Sequence, residues 1–131
     1  MLKNNRMIQL AAFAITVLTI FKSDASAQEL RAYSPKEKKV LSLVAALPEV
    51  QQRVKQIKLQ SKGKTQITLM VSAHPDINIP YYQVNVDDNS PRYTNYYQFA
   101  VDPKTYQIFY YDATANKQYS LAEWRKQRKI K

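Results

Sequence analysis

With 131 residues, 20 Lys+Arg against 10 Asp+Glu and a formal net charge of +10, the chain is small and strongly basic, with room for one domain. It has no cysteine, which excludes disulfides, thiol nucleophiles, cysteine-held metals and a cysteine-linked lipid anchor. Gly63 is the only glycine and His74 the only histidine, which excludes Gly-rich phosphate loops and leaves too few nitrogen ligands for a zinc site.

Residues 1–27 have the order of parts of a secretory signal peptide. Lys3 and Arg6 form a positive start, Leu10 to Phe21 is an apolar run, and Ala25-Ser26-Ala27 is a small-x-small cleavage pattern. The run is shorter than the ~20 apolar residues a spanning helix needs. A cut after Ala27 is expected, leaving 28–131 as a single domain in the periplasm or outside the cell, not spanning a membrane. Lys3, Arg6, Lys22 and Asp24 fall before the cut, so the remainder carries +8.

Gln28 to Tyr33 has no clear period and is expected to be a loose lead-in. Ser34-Pro35-Lys36-Glu37 has the form of a helix start, with a capping hydroxyl, a proline at the first helical position and a glutamate able to reach back to the cap. Val40, Leu41, Val44 and Leu47, then Val50, Val54 and Ile57, recur at helical spacing. Pro48 falls between the two groups, so 35–59 is predicted as two short helices or one kinked helix.

From Thr65 the period drops to two. Ile67, Leu69, Val71 and Ala73 define one strand, and Tyr82, Val84 and Val86 a second. Tyr97, Phe99 and Val101 mark a third, and Tyr106 to Tyr111 a fourth. His74-Pro75-Asp76, Asp87 to Pro91 and Asp102 to Thr105 are the turns. Ser120-Leu121-Ala122-Glu123 opens a short final helix containing Trp124. The expected fold is α+β: an N-terminal helical segment packed on a four-stranded antiparallel meander, with a short C-terminal helix.

Little in this sequence suits catalysis, and no enzyme, cofactor or metal is expected. His74 stands beside Asp76 without a serine in a recognisable motif, and is expected to be a loop histidine. Asp87-Asp88-Asn89 lacks the glycine and distal glutamate of a calcium loop.

Binding chemistry is better represented. Nine of the ten tyrosines fall between Tyr81 and Tyr119. The pairs Tyr81-Tyr82, Tyr96-Tyr97 and Tyr110-Tyr111 are each expected to split, one ring in the core and one on the open face of the sheet. Tyr81, Tyr96 and Tyr111, with Arg92 nearby, are therefore candidate contact residues for a protein or peptide; simple strand propensity explains the same tyrosines. The basic end, including Arg125, Lys126 and Arg128, is a candidate contact for anionic lipid or glycan, or a solvated tail. The strand interiors carry almost no Lys or Arg, so nucleic acid is not an expected partner.

The stretch 81–112, YYQVNV…YYQFAVDPKTYQIFYYD, is similar to the PepSY-like, cystatin-like α+β domains of exported bacterial proteins. Those often turn through VDP-x-T-G; Val101 to Thr105 matches, while Tyr106 stands where the family often has glycine. Ser120 to Arg125 resembles the L-x-x-W ends of small exported proteins. The resemblance implies a non-catalytic module, of a kind sometimes associated with protease inhibition or envelope assembly. The expected function is thus an exported domain that binds a protein or peptide partner in the cell envelope.

Overall fold

A computed structural model of the chain describes residues 28–130; the expected signal peptide lies outside them. The chain runs β1 (Gln28–Arg31), α1 (Pro35–Ala45), α2 (Pro48–Gln60), β2 (Ile67–Ala73), β3 (Tyr82–Asp88), β4 (Asn95–Val101), β5 (Ile108–Asp112), β6 (Lys117–Ser120) and α3 (Leu121–Ile130).

The expected four-stranded antiparallel meander is corrected to a six-stranded mixed sheet in the order β1-β2-β3-β4-β5-β6. β1 pairs parallel to β2, Leu30 facing Leu69, and every later pair is antiparallel. The lead-in is therefore an edge strand. Parallel neighbours need a long crossover, and the helical segment between β1 and β2 supplies it. The second added strand, β6, returns beside β5 through a turn headed by Asp112, whose Oδ1 accepts from the N–H groups of Thr114 and Ala115 at 3.0 and 3.1 Å.

Local chemistry sets the helix boundaries. Ser34 Oγ accepts from Glu37 N–H at 3.1 Å, and Glu37 Oε2 reaches back past the cap to Tyr33 N–H at 3.1 Å. Leu47 has φ −61° and ψ 136°, the extended conformation that a following proline enforces, so α1 and α2 are separate helices. α2 ends where Lys62 and Gly63 turn left-handed, φ 55° and 78°, and Gly63 N–H closes on Lys58 C=O at 2.9 Å. Ser120 and Glu123 cap α3 reciprocally, at 3.1 and 3.4 Å.

All three helices share one core with the same face of the sheet. Val40, Leu41 and Val44 of α1, Val50 and Val54 of α2 and Trp124 of α3 close over Ile67, Leu69, Val84, Val86, Phe99 and Val101. These are the positions the two periodicities select, with Trp124 covering the end of the sheet that α1 and α2 leave open. Its ring stacks on Tyr110, with centroids 4.6 Å apart and planes 8° apart, and meets Phe99 edge-on at 5.5 Å. The opposite face carries Gln83, Asn85, Gln98, Phe109 and Tyr111 and has no helix over it among the described residues.

Candidate functional site

Two of the three tyrosine pairs split as expected. Tyr82 is buried, Tyr110 packs against the core, and Tyr81 and Tyr111 lie half-buried on the open face. Tyr96 does not, and its expected place is corrected. Val86 faces Tyr97 but the next residue, Asp87, faces Asn95, so Tyr96 is the extra residue of a β-bulge. The bulge turns its ring to the helical side. There the Arg53 guanidinium of α2 lies 4.8 Å from the Tyr96 ring and 5.7 Å from that of Tyr97. The Tyr96 hydroxyl donates to Asp88 Oδ2 at 2.7 Å.

Tyr81 and Tyr111 meet in one groove of about 210 Å³, whose walls include Ile79, Gln83, Asn116 and Gln118. Each ring is held in place. Tyr81 meets Phe109 edge-on at 5.6 Å, and the Tyr111 hydroxyl donates to Asn116 Oδ1 at 2.6 Å. Asn116 sits left-handed at φ 50° in the β5–β6 turn, a conformation asparagine tolerates, and this aims its amide at Tyr111. The groove combines aromatic surface with amides that both donate and accept, which suits a polar chain with apolar side groups.

Beside the groove, the 74–80 connection places Ile77 at 97% exposure and Ile79 at 45%. The turn is tightly built: Asp76 Oδ1 accepts from Asn78 and Ile79 N–H at 2.8 and 2.7 Å, and Asp76 N–H donates to Ile79 C=O at 2.9 Å. A rigid turn thus holds an isoleucine out into solvent. A branched aliphatic side chain in that position gains nothing for the isolated domain. His74 precedes this turn, edge-on to Tyr82 with its Nε2 3.5 Å from Glu37 Oε1, and among the described residues no serine or threonine hydroxyl hydrogen-bonds to it.

The remaining sequence candidates are elsewhere. Arg92 is exposed in the β3–β4 turn, at the opposite end of that hairpin from Tyr81. Arg125 is engaged: its Nε and Nη2 grip the Glu49 carboxylate of α2 at 2.9–3.2 Å, and this hydrogen bonding raises its already high pKa. Lys126 is exposed on α3. Arg128 lies over Trp124 at 4.8 Å and reaches Tyr97 Oη at 3.5 Å. Tyr97 Oη also lies 3.5 Å from Arg53, and the two arginines, Gln52, Gln56 and Glu49 surround a cleft of about 300 Å³. Sequence reading missed Arg53, because it stands on the polar side of α2 between Val50 and Val54 and nothing local distinguishes it from a solvated residue.

No family model, curated protein or solved structure matches the chain. Among the described residues no helix is long and apolar enough to cross a membrane, and no three His, Cys, Asp or Glu side chains are grouped to share a metal ion.

Proposed function

We propose that the protein is an exported, non-enzymatic domain that binds a protein or peptide partner in the cell envelope, through the open face of its sheet. The observation that carries this reading is the convergence of Tyr81 and Tyr111 in one amide-lined groove, next to a rigid turn that exposes Ile77 and Ile79. Tyrosine gives large contact area for little conformational entropy, and an aliphatic anchor beside it is the usual make-up of an interface centre. Export and the envelope rest on the order of charge, apolar run and small residues in 1–27. The PepSY-like resemblance of the β4–β5 turn agrees with a non-catalytic role.

The test is affinity capture from envelope extract, repeated with Tyr111→Ala and Ile77→Asp. Both side chains lie outside the core, so both variants should fold. A partner held by the parent chain and lost by both supports the reading. Identical capture by all three overturns it.

Contact with anionic lipid or glycan through the basic C-terminus is the second reading. It is weakened as a diffuse-charge mechanism, because Arg125 is committed to Glu49 and Arg128 lies over Trp124.

A further inference from the structure

The geometry points to a phosphate-binding site in the cleft between α2 and α3, built by Arg53 and Arg128 around the Tyr97 hydroxyl. The site is on the helical side of the sheet and is independent of the open-face groove.

Charge accounting in the cleft leaves an excess of two. Glu49 lines it, but Arg125 already holds that carboxylate bidentately. Arg53 and Arg128 make no ion pair among the described residues. Their polar contacts are neutral acceptors, which leave the charge uncompensated: Gln56 Oε1 at 2.8 Å for Arg53, and Tyr97 Oη at 3.5 Å for each. Nitrogens that are each 3.5 Å from one oxygen lie closer together than the ~8 Å over which physiological salt screens charge. Two guanidinium groups are thus held close together, and among the described residues they share only these neutral protein acceptors.

The aromatic rings explain how they are held. Arg53 faces Tyr96 and Tyr97, and Arg128 faces Trp124 and Tyr97, so each planar group is braced by cation–π contact and its rotamer freedom is reduced before any ligand arrives. An oxyanion between them would relieve the repulsion and accept from both forks. A planar carboxylate presents both oxygens to a single fork, as Glu49 does to Arg125, and leaves only its outer lone pairs for a second wall. A tetrahedral phosphate offers oxygens to both walls. The cleft is larger than a phosphate ion, and the amides of Gln52 and Gln56 on its wall suit the hydroxyls of a phosphate ester.

Trp124 is the only tryptophan in the chain, and Arg128 lies 4.8 Å above it, so intrinsic fluorescence reports on the site. Titrating the full-length protein with inorganic phosphate, against chloride at equal ionic strength, should give a saturating change for phosphate alone. Arg53→Gln and Arg128→Gln should each weaken it about tenfold, the loss of a charge-assisted contact. Lys36→Gln, at the exposed start of α1, should leave it unchanged, and Arg128→Lys should recover only part of the affinity, since lysine keeps the charge and loses the fork. Arg128 is exposed, so its variants carry the test if Arg53→Gln lowers stability. Sedimentation with phosphatidylglycerol vesicles identifies the source: phosphate-competed vesicle binding assigns a lipid headgroup, and phosphate binding without vesicle binding assigns a soluble ester. Equal responses to phosphate and chloride, indifference to Arg128→Gln, or full rescue by Arg128→Lys overturns the site.

Discussion

The Tyr96 hydroxyl donates to the buried Asp88 carboxylate at 2.7 Å, and that bond ties the β-bulge to the β3–β4 turn. Asp88 Oδ1 also accepts from Ser90 N–H and Oγ, at 3.1 and 2.5 Å, and from Thr94 N–H at 3.2 Å. Burial alone would raise this carboxyl, but the hydrogen bonds from Ser90, Tyr96 and Thr94 outweigh it and hold Asp88 below its usual range. Burial, and then the hydrogen bond and charge of Asp88, push Tyr96 up to about 12 from its ordinary 10.0.

The two shifts have opposite consequences for stability. Asp88, depressed when folded, contributes stability above its ordinary value of 3.8 that is lost as pH falls through its lower folded value. Tyr96, raised when folded, contributes stability that is complete below 10.0 and lost as pH rises to about 12. Tyr96→Phe should cost about 1.5 kcal/mol at neutral pH, the lower end for a hydrogen bond to a charged group, because Asp88 keeps its other donors. It should also shallow both the acid and the alkaline decline. Denaturant titrations across pH check this; parallel curves for parent and variant would refute it.

Trp124 is predicted to be the costliest single truncation on α3. It touches Tyr97, Phe99 and Tyr110, and it is 5% exposed. Removing a buried aromatic costs ~3–5 kcal/mol, and each kcal/mol shifts Tm by about 4–8 °C in a domain of this size. Trp124→Ala should therefore lower Tm by more than about 12 °C, with Trp124→Phe between it and the parent. Thermal melts by circular dichroism decide the order.

Tyr106 has φ 60°, the left-handed region that favours glycine. A non-glycine residue there costs ~1–2 kcal/mol. Its ring is partly buried against the core, and Lys39 Nζ lies 4.1 Å from its centroid. Partial burial of a large ring contributes about 1 kcal/mol and the cation–π contact about 0.5–1 kcal/mol, while glycine would add an entropic penalty of about 0.5–1 kcal/mol. Tyr106→Gly should thus destabilise by about 1 kcal/mol although it relieves the backbone. In a Lys39→Ala background the loss should shrink. A gain in stability for Tyr106→Gly would show that the strain outweighs the ring.

What could be read from the sequence follows from where the determinants lie. Both capping boxes and Pro48 are local, so the helix starts were legible, whereas the choice between one kinked helix and two over 35–59 and the end of the last helix were not. The central strands alternate clearly because one face is buried. β1 and β6 were not legible: each is a four-residue edge strand, QELR and KQYS, with too few core contacts to impose a period. The bulge at Tyr96 depends on a buried aspartate eight residues earlier, which carries no periodic signal. For the candidate groove, Tyr81 and Tyr111 followed from alternation, but Ile77 did not, since its meaning comes from exposure. Arg53 meets Arg128 only through helix packing, a relation that spacing along one chain segment cannot express.

Glu49 offers a substitution whose two effects should run in opposite directions. Its carboxylate is mostly buried, with side-chain exposure of 11% against 42% for Arg125. Glu49→Gln keeps the shape but removes the charge that anchors α3 to α2. A partly exposed ion pair of this kind is worth up to ~1 kcal/mol, so a small loss of stability is expected, larger at low than at high salt. The same change removes the only acidic group from the lining of the Arg53–Arg128 cleft and frees the Arg125 guanidinium beside it. Phosphate affinity measured by Trp124 fluorescence should therefore rise while Tm falls. A drop in both would mean that Glu49 acts only by holding α3 in place. A rise in affinity from a destabilised protein is an outcome that general loosening of the cleft would not produce.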